Sequence, residues 1–265
     1  GVSISKLFMA GIFPGVMMGL SLVVAWWWLV RNEDVEPPPR KSMKEVLAAI
    51  ADGLWALFLP VIIIVGLKLG VFTPTEAAVV AAVYSLFVAV FVYRDLKPKM
   101  LYQVFVSAAT TTATVMFLVA AAMVSAWLIT VADLPSQVIS LLEPFLESPR
   151  MLMLMMMLLV VIVGTAMDMT PTILILTPVL MPLVKEAGID PVYFGVLFII
   201  NNAIGLITPP VGTTLNVVCG VAKVRMDDII VGVLPFMTAQ LIVLALMVIF
   251  PEIVLAPLRV LSGNY

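Results

Sequence analysis

The chain has 265 residues, of which 63% are hydrophobic and 11% charged, with a formal net charge of -2 and a mean hydropathy of +1.20. Soluble domains carry roughly 25% charged residues, so this composition is that of an integral membrane protein, and its charge leaves no nucleic-acid footprint. Without histidine, zinc hydrolysis, haem ligation and serine–histidine chemistry lose their usual residue, and the single cysteine, Cys219, excludes an intrachain disulfide.

Gly1 is not an initiator methionine, and GVSISKLFMAG reads as a loop feeding a helix, so a piece of a longer protein is expected. The first apolar run covers 7–30 and ends in Trp26, Trp27 and Trp28, side chains suited to a lipid–water interface. RNEDVEPPPRKS is a loop. KSMKEVLAAIAD (41–52) fits a helix lying along the surface with one polar and one apolar face. Residues 54–69 suit a short apolar helix ending near Lys68, which can snorkel. Past a break at Pro74, a helix opened by Thr75 and Glu76 runs to Tyr93; Glu76 in the first turn favours the helix dipole. YRDLKPK is a basic loop. A helix over about 101–130 carries Ser107, Thr110, Thr111, Thr112 and Thr114, which either line a polar site or pack against it. VADLPSQVISLLEPFLESPR is an amphipathic connection. The methionines of 151–157 suit packing or lipid contact, and Cys219 suits a buried small hydrophobe.

Between Arg150 and Lys185 the only charged residue is Asp168. One helix of that length would rise about 50 Å against a hydrocarbon core of about 30 Å. Two half-helices are therefore expected, turning at GTAMDMTP, with Pro171 opening the second. Residues 191–222 form a second broken element, its halves meeting at NNAIGLITPPVG, and a last span covers about 229–250. Irregular backbone at membrane depth is tolerated only where protein or a polar cavity covers it, and paired interruptions point to a transporter's binding site.

Placing the loops 31–48, 94–99 and 223–228 inside puts nine lysines and arginines there, against five on the other side. That agrees with the positive-inside rule, but only if 150–185 returns to its own side as a re-entrant hairpin.

Each break exposes carbonyls at one half-helix end and N–H groups at the next, attracting cations and anions respectively. Thr165, Asn202, Thr208 and Thr213 add neutral oxygens that suit sodium, a hard cation. Pro209 and Pro210 remove two N–H donors and are expected to free upstream carbonyls for a ligand. Asp168 can bind a cation, cap the returning half-helix, or do both.

GVFTPTEAAVVAAVYSLFV (70–88), GTAMDMTPTILILTPVLMPLV (164–184) and GLITPPVGTTLNVV (205–218), in this order, resemble the large membrane subunit of a TRAP transporter, of the DctM/SiaM type. The resemblance covers the whole chain and matches the C-terminal portion of that subunit. It implies an all-α polytopic membrane protein with an elevator-type ion-transporter superfamily fold, built from inverted repeats, a re-entrant hairpin and a discontinuous transmembrane helix. By the same resemblance, 1–30 is the last helix of a first repeat, and 31–100 holds an amphipathic arm helix and scaffold helices. Residues 101–222 belong to the transport domain, with the hairpin at 150–187 and the broken helix at 190–222; 223–265 is a final scaffold helix and tail. The function implied is sodium-coupled, binding-protein-dependent import of a carboxylate-bearing solute, of the C4-dicarboxylate or sialic acid type, by an elevator movement in the bacterial inner membrane. The family is a secondary transporter, not an enzyme. Its implied partners are a small four-helix membrane subunit, a periplasmic substrate-binding protein, the N-terminal half of the large subunit, and lipid. The substrate-binding residues implied are Thr165, Ala166, Asp168, Asn202 and Pro210. The sodium ligands implied are Gly164, Thr165, Asp168, Gly205, Thr208 and Gly212, partly through backbone carbonyls.

The competing classes predict other patterns. A channel needs a polar lining across the whole membrane, whereas the polar residues here gather at two depths. An ion-coupled anion transporter of the same superfamily, working without a binding protein, is a closer rival than a channel, although the one acid deep in the chain disfavours proton coupling. A purely structural subunit has no use for paired breaks, and would be favoured if 164–171 and 205–212 lay far apart.

Overall fold

The computed structural model describes residues 2–31, 41–132, 148–209 and 212–262. The loop 32–40 and most of the 131–150 connection lie outside the described residues. Helix α1 spans Ile4–Val30, with Ser3 accepting from the Lys6 N–H at its start. Helix α2 spans Met43–Lys68, opened by a capping box between Ser42 and Glu45. It is one continuous helix where a surface helix and a separate short span are expected. Asp52 and Gly53 do not end it, because one glycine costs a helix only about 1 kcal/mol and its neighbours are good helix formers.

Helix α3 spans Pro74–Phe87 and widens into a π-helical turn over Val88–Val92. Glu76 has the structural role expected of it. Its carboxylate accepts from the Thr73 N–H at 2.7 Å, and the Thr73 hydroxyl accepts from the Glu76 N–H. The Tyr84 and Tyr93 hydroxyls donate to the Trp55 and Asp52 carbonyls at 2.7 and 2.6 Å, pinning α3 to α2. Helix α4 spans Pro98–Val131.

The long apolar stretch divides as expected, into α5 (Pro149–Ala166) and α6 (Met169–Glu186). The second element divides into α7 (Pro191–Gly205) and α8 (Thr213–Ala222). Helix α9 spans Met226–Ile249, and a further helix, α10, spans Glu252–Ser262 where only a tail is expected. Its reason is amphipathic: Val254 and Leu258 are fully buried while Glu252 and Arg259 pair at 3.1 Å in solvent.

Seven of the described helical segments are long and apolar enough to cross a membrane; Pro191–Gly205 is a shorter apolar helix. The core forms where α5 packs along α7, with α6, α1, α9 and α10 around them. Leu152, Met156 and Val160 of α5, Leu183 of α6, Leu197 of α7 and Met247 of α9 are almost wholly enclosed. The methionine run contributes Met153, Met156 and Met157 to this core and leaves Met151 exposed. The Tyr193 hydroxyl donates to the Met247 carbonyl at 2.8 Å, tying α7 to α9. By contrast α2 and α4 carry outward-facing apolar side chains, among them Trp55, Phe58, Phe105 and Phe117. In a bilayer such faces meet lipid or other membrane segments.

Candidate functional site

Both breaks are built by local chemistry. Helix α5 ends at Ala166 and the chain extends through Met167 and Asp168 before α6 starts at Met169. Pro171 lies inside the first turn of α6 and does not open it, as first-turn N–H groups have no helical partner in any case. Asp168 holds the N-cap position, yet its carboxylate makes no capping bond and is exposed. Capping is therefore not its role here; the Thr172 N–H and hydroxyl both bond to the Asp168 carbonyl instead.

Between α7 and α8 the described residues are 206–209, which turn out of the helix, and Gly212. Gly212 sits at φ 44°, in the left-handed region that favours glycine. The carbonyls expected to be freed by the prolines are partnered. Gly205 O accepts from the Thr208 N–H at 2.9 Å, and Leu206 O from the Thr214 N–H at 3.2 Å. Buried backbone groups find partners wherever the chain allows, and here the turn itself supplies them. Each of these carbonyls has a second lone pair for a ligand.

The two breaks meet. The Gly212 N–H donates to the Thr165 carbonyl at 3.2 Å. Immediately before Thr165, Gly164 presses backbone to backbone against Gly205: a Cβ on Gly205 would lie 2.8 Å from the Gly164 Cα. A Cβ on Gly164 would lie 3.0 Å from Asn202 Oδ1 and 3.3 Å from the Gly205 Cα. Small residues let membrane helices approach this closely. Both glycines therefore have a packing role, whatever ligand their carbonyls serve.

Asn201 and Asn202 lie inside α7, not in the break, and are fully buried. Asn202 donates through Nδ2 to the Met169 carbonyl at 3.2 Å, while its Oδ1 has no partner. The Thr165 hydroxyl donates to the Ile162 carbonyl at 2.8 Å, and the Thr208 hydroxyl to the Ile204 carbonyl at 2.7 Å. With their protons used this way, both hydroxyls offer only lone pairs outward. The junction thus combines a buried, unpartnered amide oxygen with two hydroxyl oxygens and an exposed carboxylate nearby in sequence at Asp168. Such a donor set suits a hard cation.

Of the residues expected at the site, Gly164, Thr165, Asn202, Gly205, Thr208 and Gly212 are joined by these contacts. Ala166 and Asp168 follow on the exposed side of the same turn. Pro210 lies outside the described residues. Asn201, fully buried beside them, was not among the expected site residues; its signal was an Asn–Asn pair inside an apolar helix. The threonine cluster of α4 lies elsewhere: Ser107, Thr111 and Thr112 line an open groove on α4 with Met100 and Gln103. Cys219 is half-buried, its thiol 3.5 Å from the Met226 sulfur. Among the described residues, no three of the Asp, Glu or Cys side chains gather in a metal-binding group.

Comparison with known proteins shows the family. Residues 1–253 match the profile of the family described as "Tripartite ATP-independent periplasmic transporter, DctM component". The chain is 55% identical over 259 residues to the 2,3-diketo-L-gulonate TRAP transporter large permease protein YiaN of Escherichia coli K12, covering 98% of this chain and 61% of that protein. It is 39% identical to the C4-dicarboxylate TRAP transporter large permease protein DctM of Pseudomonas aeruginosa, covering 96% of this chain and 60% of that protein. It is 35% identical to the sialic acid TRAP transporter large permease protein SiaM of Vibrio cholerae, covering 96% of this chain and 59% of that protein. The chain thus spans about 60% of the length of these relatives.

Proposed function

Since the chain belongs to the DctM component family of the tripartite ATP-independent periplasmic transporters, we propose that it is the C-terminal portion of a large permease subunit that imports a carboxylate-bearing solute with sodium. It is a secondary transporter and not an enzyme. Its similarity to permeases named for 2,3-diketo-L-gulonate, C4-dicarboxylates and sialic acid supports an anionic solute of that class. The full machine would comprise a small four-helix membrane subunit, a periplasmic binding protein and the rest of the large subunit, in the inner membrane of a bacterium.

One observation carries this reading. The α5–α6 break and the α7–α8 break touch through Gly212 and Thr165 beside the unpartnered Asn202 Oδ1. A structural membrane subunit would not need two costly interruptions brought to one point. Sodium is a co-substrate that, when bound, supplies positive charge beside the solute carboxylate. Asn202, Thr165 and Thr208 would hold it through neutral oxygens, with Asp168 and the carbonyls of Gly164, Gly205 and Gly212 as further ligands. Ala166 and Asp168, with Thr165 and Asn202, would contact the solute. The N-terminal end of α6 would present N–H groups to an anion, whereas at the start of α8 the Gly212 and Thr214 N–H groups are bonded to the Thr165 and Leu206 carbonyls. The transport-domain part, 101–222, would move as a body against the scaffold helices, giving alternating access. Sodium and solute raise each other's affinity by the same factor, as linkage requires.

In proteoliposomes holding the complete permease with its binding protein, uptake is expected to need sodium. Equal uptake when potassium or choline replaces it would overturn the ion assignment. Thr208→Ala and Asp168→Ala are expected to raise the sodium concentration for half-maximal uptake several-fold, with normal membrane insertion. Unchanged sodium curves in both variants would return these residues to a purely structural role.

A further inference from the structure

Asn201 and Asn202 follow one another on α7, and both are 0% exposed. Asn201 donates through Nδ2 to the Met157 carbonyl of α5. Asn202 donates through Nδ2 to the carbonyl of Met169, the first residue of α6. Two adjacent residues thus reach the two different arms of the broken element. A carbonyl can only accept, so each bond fixes which end of the amide faces it. The Oδ1 atoms are left without partners. Burying half-satisfied amides is unfavourable, and an apolar pair would fill an apolar helix more easily. What the asparagines add is two donors, spaced so that each holds a different arm.

The bonds complement the contacts at the tips. Met157 lies two helical turns before Gly164, about 10 Å along α5. The Asn201 bond and the Gly164–Gly205 contact therefore grip α5 at two heights, which resists rocking as well as sliding. The Asn202 bond fixes the start of α6 against α7, and the Gly212 N–H holds the end of α5 through Thr165. Ligand oxygens drawn from separate chain segments are useful only if those segments keep their places.

We infer that Asn201 and Asn202 are positioning residues that fasten both arms of the α5–α6 element to α7. The two breaks are then held in register before any ligand binds. The fastening itself stands on the bonds described; only its consequence for sodium and solute rests on the proposed function.

Hydrogen–deuterium exchange on the complete permease in sodium-free nanodiscs tests the inference. The amides to follow are those of Thr172, Thr208 and Gly212, which are bonded at the tips. Asn201→Leu and Asn202→Leu keep the side-chain size and remove the donor. They are expected to speed exchange in the peptides carrying these amides at least tenfold, while α1 and α10 keep their protection. Tyr84→Phe, which removes a bond between α3 and α2, is expected to leave the tips unchanged. Asn202→Asp supplies a second readout. Its carboxyl can donate when protonated and cannot when ionised, so tip protection should approach wild type at acidic pH and fall as pH rises, relative to wild type at each pH. Wild-type protection in both Leu variants would overturn the inference. So would a loss spread equally over all helices, or an Asp variant no better than Leu at acidic pH. Sodium-independent uptake by the wild type would instead sink the ion assignment and leave the exchange pattern intact.

Discussion

A glycine facing a glycine permits one of the closest approaches two helices can make. Gly164 and Gly205 occupy such a contact, and their tolerance of a methyl group should differ. A Cβ on Gly205 meets two main-chain atoms of Gly164 at 2.8 and 2.9 Å, which cannot rotate away. On Gly164 its nearest neighbour is the Asn202 amide oxygen at 3.0 Å. Gly205→Ala is expected to destabilise the complete permease by about 1–3 kcal/mol through overpacking, and Gly164→Ala by less. Gly11→Ala, where a Cβ meets nothing within 4 Å, should be neutral or slightly stabilising. Thermal unfolding of the three variants checks the order; equal midpoints would show that the helices part freely. These glycines were legible as break residues because glycine and proline punctuate an apolar run. Their partners were not, since a contact across 41 positions leaves no local mark. Asn202 was expected at the site but placed in the break; it proves to be a helical residue with one half of its amide engaged.

At the scale of elements, length limits proved more informative than periodicity. The uncharged run around Asp168 had to break, and the break lies at Met167 and Asp168, within the expected turn. Periodicity failed where burial is one-sided or absent. In α2 it suggested a surface helix and a separate span, whereas the backbone runs unbroken through Gly53 because nothing there stops a helix. It also missed α10, whose apolar residues acquire meaning only against α1. That contact sets a test. Leu258 is fully buried, so Leu258→Ala is expected to cost about 2–5 kcal/mol by leaving a cavity. Glu252→Ala removes only an exposed ion pair, which is worth at most about 1 kcal/mol. Unfolding midpoints that moved equally would mean α10 is not docked by its apolar face.

For the whole molecule, the distribution of lysine and arginine sets an orientation that can be checked directly. If α5 and α6 return to one side, Arg150 and Lys185 share a membrane face, and Lys97 and Lys223 share the other. Single cysteines at these positions, in a Cys219→Ser background, should label with a membrane-impermeant thiol reagent in those two pairs. Labelling of positions 150 and 185 from opposite sides would show that the element crosses completely. By itself the sequence determined the class of protein, the number and approximate limits of most spans, the places where two of them break, and the family, because hydropathy, glycine–proline punctuation and motif order are properties of the chain read locally. Only the tertiary structure decided that the breaks touch, that Gly164 and Gly205 form a seam, and that Asn201 and Asn202 reach both arms of one element. Those are meetings of segments distant in sequence, set by how helices pack rather than by what any one helix prefers.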